Sequence, residues 1–388
     1  MTARLRDRTA IVGIGQTEFS KESGRTELQL ACEAVKAALD DAGLAPADVD
    51  GLVTFTLDSS EEMEVGRNLG IPALSMFSRV PYGGGAAAGT VLQAAMAVAT
   101  GVAEVVVCYR AFNERSGMRF GGGGGAYSSM PLWLSWYAPY GLLTPASWVA
   151  MHARRYMHVS GATNEDFGAI AVVDRRHAAT NPDAWFFGRP ITLEDHQSSR
   201  WIIEPVLRLL DCCQESDGGV ALVVTSAERA RDLRQVPALI TAAAQGATRD
   251  GGMMTSYYRD DLTGLSEMGV VGDALWAQSG LTPDDIQTAF LYDHFTPFVL
   301  MQLEELGFCG RGEAKDFATV ENLSFGGRLP INTNGGLLGE AYIHGMNGIT
   351  EAVRQVRGTA ANQVDRVEHV LVTSGTGVPT SGLILGRP

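Results

Sequence analysis

An α/β layered fold is predicted by three observations. Short β-rich runs alternate with segments of helical periodicity along most of the 388 residues, and several of those helical segments close on a glycine. The composition is 45% hydrophobic and 19% charged, that of a globular chain long enough for a large core, as one big domain or two fused halves.

The elements follow in order. Residues 9–15 form a β-rich run ending in glycine, and residues 27–42 carry apolar positions at helical spacing up to Gly43. Residues 52–56 read as a strand. Residues 86–99 are alanine-rich and apolar on most faces, a buried helix closed by Gly101, and 104–108 are the buried strand after it. From about 111 to 217 the alternation stops, and this stretch is read as a large insertion or cap. It holds a glycine run at 121–125 and an aromatic cluster of Trp133, Trp136, Tyr137, Tyr140 and Trp148. The glycine run has no GK[ST] ending and no preceding strand, so it is a flexible loop rather than a phosphate loop. The aromatics either line an apolar cavity or serve as core or dimer interface. The alternation resumes with strands at 219–225 and 238–244, a helix at 269–278, a strand at 288–292 and a helix at 297–306 closed by Gly307. A helix at 345–356 and strands at 367–373 and 382–385 complete the chain.

Composition excludes several functions. Net charge is −14, with only three lysines (Lys21, Lys36, Lys315), so nucleic acid is a poor partner and an anionic ligand such as coenzyme A needs a local basic patch. The five cysteines are Cys32, Cys108, Cys212, Cys213 and Cys309, an odd count without a CxxC pair. They predict a reducing cytoplasm, with neither a disulfide framework nor a zinc site. A polar N-terminus and the lack of a long uncharged apolar stretch predict no secretory signal and no membrane span.

Two late blocks carry chemistry. Tyr292-Asp293-His294-Phe295 ends an apolar run, and Asn332-Thr333-Asn334-Gly335-Gly336 leads into Tyr342-Ile343-His344-Gly345-Met346-Asn347-Gly348. These resemble active-site blocks of the thiolase superfamily, sterol-carrier-protein type, which read His-Asp-x-Phe and Gly-His-Pro-x-Gly-x-x-Gly. Further blocks match in order: residues 10–17, Asn181 to Ala184, Ile191-Thr192, Ser216 to Ala221 and Thr373 to Gly377. The resemblance implies a thiolase fold, with two similar βαβαβαββ halves at 1–232 and 233–388 in five α-β-α-β-α layers, and the 111–217 insertion in the first.

The departures are informative. A tyrosine stands at each family histidine. The nucleophilic cysteine falls by family spacing on Gly84, and Ser374-Gly375-Thr376-Gly377 stands where the second cysteine would be. Without a thiolate there is no covalent acyl-enzyme. What remains is a site able to stabilise a thioester enolate, which is what a retro-aldol cleavage needs. The chain thus resembles the thiolase-fold aldolases of steroid side-chain degradation, also called lipid-transfer proteins. That resemblance implies a lyase converting a 17-hydroxy steroid carboxyl-CoA to a 17-ketosteroid and propionyl-CoA. It also implies a homodimer, a small partner of zinc-ribbon and OB-fold type, and no cofactor beyond the CoA of the substrate. The alternatives are a non-catalytic carrier or scaffold for acyl-CoA or sterol, and an acyltransferase using Cys108 or Cys309.

Tyr292 and Tyr342 are the candidates for acid–base work. A free tyrosine titrates near 10, so holding a phenolate at neutral pH costs about 4 kcal/mol, whereas donating a proton requires no shift. The base is either the second tyrosine with a lowered pKa or a relay through His294 or His344, each two residues beyond a tyrosine. Against the relay stands an ordinary packed histidine, above all at His344. Asp293 orients its neighbours. Asn332, Asn334, Gly335 and Gly336 are expected to form a turn whose amides face a thioester oxygen, or else a plain Asn-Gly turn. Gly84 and Gly375 lie in the loops of the missing cysteines and complete the expected substrate contacts. No lysine falls in these blocks for a Schiff base, and no HxH or HExxH occurs for a metal.

Overall fold

The computed structural model describes residues 5–55, 58–117, 119, 135–251, 254 and 258–388. The glycine run at 121–125 and Trp133 lie outside the described residues.

Among the described residues the strands are β1 (Thr9–Gln16), β2 (Gly51–Phe55), β3 (Met76–Val80), β4 (Val105–Asn113), a small hairpin of β5 (Trp201–Ile203) and β6 (Leu207–Arg208), β7 (Asp217–Ser226), β8 (Ala238–Gly246), β9 (Thr288–Phe290), β10 (His369–Ser374) and β11 (Thr380–Gly386). All but the hairpin join one sheet ordered β3-β2-β4-β7-β1-β8-β11-β10-β9. In the first part β2 is parallel to β3 and β4, and β4, β7 and β1 run antiparallel in turn. The second part repeats this polarity: β9 is parallel to β10, then β10, β11 and β8 run antiparallel. A parallel bridge from Ala289 to Ile331 takes the place of the β2–β3 pairing. Within the described sheet the two parts pair through Ala10↔Leu239 and Ile11↔Ala238, a narrow join across which the sheet twists over the central helices.

Those central helices are Ala87–Thr100 and Met346–Arg357. One buried cluster joins them to inward residues of both parts, including Phe55, Leu222, Phe290, Val372 and Leu383. The first has few polar positions because its N-terminal turns, from Ala87 to Val91, are wholly buried and its later turns are buried on one face. Outer helices cover the opposite faces, Glu27–Ala42 on β1, β4 and β7 and Ser266–Ser279 on β8 and β11. Glu27–Ala42 starts where Thr26 accepts the Gln29 amide and ends at Gly43 in the left-handed conformation. The layers therefore run helix, sheet, helix, sheet, helix.

Two sequence expectations are corrected, and two elements without a sequence expectation are added. The stretch between β4 and β7 is not irregular: it holds the long helices Pro145–Ser160 and Asn164–Thr180, which break the alternation because they pack on other helices instead of following strands. Strand β3 and helix Glu62–Leu69 are the added elements: most of their residues are not buried, so neither shows the apolar periodicity of a core element. The strand expected at 288–292 ends at Phe290, freeing Leu291 and Tyr292 for side-chain partners.

Candidate active site

Tyr292 leaves the end of β9 into the centre of the molecule. Its amide donates to Thr373 Oγ1 (2.9 Å), and its carbonyl accepts from Gln302 Nε2 (2.9 Å), which fixes the backbone from β10 on one side and helix Thr296–Glu305 on the other. Tyr342 follows the short Gly336–Gly339 helix and is tied to the 213–217 segment by a bridge to Glu215 and an amide bond to Ser216 Oγ (3.2 Å). The two tyrosines meet with hydroxyls 2.9 Å apart. Burial raises both hydroxyls well above the usual tyrosine range, so both stay protonated at neutral pH.

Gly84 lies directly against this pair. It sits in the turn Gly83–Ala86 that starts the central helix, and a Cβ there would overlap the Tyr292 hydroxyl and Cζ and lie 3.1 Å from Cε2. The Gly375 loop closes the same corner, where a Cβ would overlap the Gly85 backbone. The glycine at the nucleophile position and the tyrosine at the histidine position thus occupy shared space.

The histidines divide. His294 is almost fully buried, its ring centroid 5.0 Å from that of Tyr292, with Nδ1 3.3 Å from Thr376 Oγ1 and Nε2 without a hydrogen-bond partner among the described residues. Burial lowers its pKa to about 3, so it is neutral and weakly basic. His344 stands at φ 50° with its ring centroid 4.7 Å from that of Tyr342, edge-on to Phe55 and Phe112, and its Nδ1 3.4 Å from Arg110 Nη2. Burial and the Arg110 cation keep it neutral. Arg110 is itself fully enclosed and pairs with Asp58 at 3.3 Å.

Asp293 points away from the tyrosines and accepts the amides of Leu337 (2.8 Å) and Leu338 (3.0 Å). It braces the Gly336–Gly339 helix that delivers Tyr342. Burial pushes its pKa up to about 6, against those amide bonds and a bond with Asp174.

The expected Asn–Gly turn also lies behind the site. Asn332 Oδ1 accepts the Leu291 amide (2.9 Å), and Asn334 bonds Glu340 and the Gly336 amide. Gly335 packs against Ala178, and Gly336 against Asp293. These four residues hold the tyrosine-bearing segments in register, and their polar groups are consumed internally. The aromatic cluster separates as well: Tyr137 and Trp148 pack together, while Trp136 and Tyr140 are exposed.

Two features escaped the motif reading. Glu114, just past β4, is buried, and its Oε2 has no hydrogen-bond partner among the described residues. It carries no motif signal among 44 acidic residues. The second is a groove of about 610 Å³ beside helix Pro145–Ser160, lined by Arg154, Arg155, His158 and Arg259 among others. Arg259 donates to the Gly377 carbonyl (3.2 Å), which connects the groove to the Gly375–Gly377 loop.

The thiols offer no substitute nucleophile. Burial pushes Cys108 and Cys309 up to about 12 and Cys213 well above its ordinary range, so none is a thiolate at neutral pH.

Residues 246–387 match the family model described as thiolase C-terminal domain-like. The chain is 71% identical over 384 residues to a steroid side-chain-cleaving aldolase of Thermomonospora curvata, covering 97% of each. It is 67% identical over 386 residues to the 17-hydroxy-3-oxo-4-pregnene-20-carboxyl-CoA lyase of Mycobacterium tuberculosis, covering 98% of this chain and 100% of that one. A solved structure, the Ltp2-ChsH2(DUF35) aldolase, superposes with a TM-score of 0.94 at 71% identity, covering 99% of this chain and 98% of that one.

Proposed function

The chain belongs to the thiolase superfamily, on the branch of the steroid side-chain-cleaving aldolases, and from that membership we propose that it cleaves a 17-hydroxy steroid carboxyl-CoA by retro-aldol chemistry to a 17-ketosteroid and propionyl-CoA. The observation that carries the mechanism is the 2.9 Å contact between two protonated tyrosine hydroxyls beside a glycine in the nucleophile's place. The substrate's β-hydroxyl loses its proton, the O–H electron pair becomes the second C–O bond of a ketone, and the Cα–Cβ pair moves into the thioester as an enolate. Tyr342 and Tyr292 hydrogen-bond that enolate and return a proton to Cα. Neither tyrosine serves as the resting base, because burial opposes the phenolate. His294 supplies an acceptor of low basicity, and His344 supports Tyr342 from behind. The mutual fit of Gly84 and Tyr292 favours a working enzyme over a carrier or scaffold, since a drifting site has no reason to retain it. Incubation with a panel of β-hydroxyacyl-CoA esters, followed by product mass, tests the assignment. The 17-hydroxy steroid ester should give equal amounts of 17-ketosteroid and propionyl-CoA, and no cleavage of any ester would contradict it.

The groove beside helix Pro145–Ser160 suits the phosphates of the CoA moiety: Arg154 and Arg155 outnumber its one carboxylate, Asp260, while Arg259 is paired with Glu267. Changing Arg154 and Arg155 together to alanine should raise KM for the CoA ester about tenfold, the equivalent of roughly 1.4 kcal/mol, with kcat unchanged. An unchanged KM in steady-state kinetics would remove the groove from the CoA site.

We also propose a homodimer through β3. This strand ends the sheet and presents Phe77, 63% exposed, on an edge whose backbone groups can pair with a second copy. Phe77→Arg should halve the mass seen by analytical ultracentrifugation. A small partner of zinc-ribbon and OB-fold type is proposed from the two-component name of the similar structure. The five free cysteines fit a reducing cytoplasm, and among the described residues no helix is long and apolar enough to cross a membrane.

A further inference from the structure

The retro-aldol scheme needs a group to take the β-hydroxyl proton, and neither tyrosine nor His294 suits that task. Glu114 lies in the right part of the fold. It directly follows Asn113, which pairs with Asp217 in the last register position between β4 and β7. Two residues before Asp217, Glu215 bridges to Tyr342, so the end of β4, the 213–217 segment and the Tyr342 segment lie side by side. Glu114 is 2% exposed, and one carboxylate oxygen is enclosed without a donor among the described residues. An enclosed oxygen left unpaired destabilises the free protein, and a donor brought by a ligand would offset that. At the reacting carbon of a β-hydroxyacyl-CoA, that donor is the hydroxyl.

We propose that Glu114 is the base of the retro-aldol step, its carboxylate accepting the proton of the substrate's β-hydroxyl. The inference rests on the retro-aldol reading above. The O–H proton passes to Glu114 and the O–H electron pair becomes the second carbonyl bond. The Cα–Cβ pair enters the enolate, the tyrosine pair protonates Cα, and the proton on Glu114 returns to the tyrosines through the site. Burial first, then Glu215 and Asp217, raise the Glu114 carboxyl well above its ordinary range, against Arg110 and Lys21, so its carboxylate is a stronger base than an exposed one and holds the proton it takes. The negative charge of Glu114 also raises both tyrosine hydroxyls. Its neutralisation on taking the proton therefore makes the tyrosines better donors when the enolate forms.

The test compares wild type with Glu114→Gln, Glu114→Asp and Glu114→Ala, using the 17-hydroxy steroid carboxyl-CoA and the protein in its full assembly. Glu114→Gln should lower kcat at least about 100-fold with KM little changed, and Glu114→Asp should fall between it and wild type. Added formate should restore turnover to Glu114→Ala while leaving wild type unaffected, an effect that a merely structural role would not produce. Wild-type kcat in Glu114→Gln, or no formate rescue of a folded Glu114→Ala, would overturn the proposal. Failure of the wild type to cleave this ester would instead remove the retro-aldol reading beneath it.

Discussion

Tyr342→Phe is expected to lower kcat by roughly 10²–10⁴-fold, and Tyr292→Phe to do the same, with the fold intact. Each change deletes one oxygen from a hydroxyl pair 2.9 Å apart. The lost hydrogen bond is worth about 1 kcal/mol to stability, so the melting temperature should shift by only a few degrees. The catalytic loss is far larger because the hydroxyls act when negative charge reaches the thioester oxygen. Since the pair works as a unit, the double variant should be little worse than the worse single one. Steady-state kinetics beside circular dichroism would check this. Full turnover in both single variants would remove the tyrosines from the chemistry.

Gly84→Ala should be nearly as damaging, although it adds only a methyl group. That methyl would occupy the space of the Tyr292 hydroxyl and Cζ, and the ring is locked behind by the bonds of its own backbone to Thr373 and Gln302. Overpacking of this kind costs about 1–3 kcal/mol, and moving the ring breaks its contact with Tyr342. The expected outcome is lost activity with a lowered melting temperature. Tyr292→Ala opens that space, so adding Gly84→Ala to it should cost almost no further stability. A double variant whose losses simply add would show that Gly84 and Tyr292 do not share the volume.

Much of this site was legible in sequence, for a physical reason. The tyrosines, Gly84 and the Asp293 block lie in segments whose local pattern is constrained by tight turns and by passage through the core, and they kept a recognisable order. The roles behind those positions were less legible. Asn332, Asn334, Gly335 and Gly336 look in sequence like amides aimed at a ligand, yet their partners are Leu291, Glu340, Ala178 and Asp293, brought there by the fold from distant positions. Glu114 was invisible because burial, which makes one carboxyl unlike the others, is a property of packing. The helices at Pro145–Ser160 and Asn164–Thr180 were missed because the alternation of strand and helix was the guide, and here helices pack on helices. Strand β3 was missed because most of its residues are not buried.

The central claim is that an enolate site has been kept while the covalent step has been discarded. Intact-protein mass spectrometry during turnover of the 17-hydroxy steroid carboxyl-CoA, with no free CoA present and every accessible thiol alkylated, tests it most directly. The expected result is continued release of propionyl-CoA from a protein that carries no acyl adduct. An acyl-enzyme species, or cleavage that starts only when free CoA is added, would contradict it.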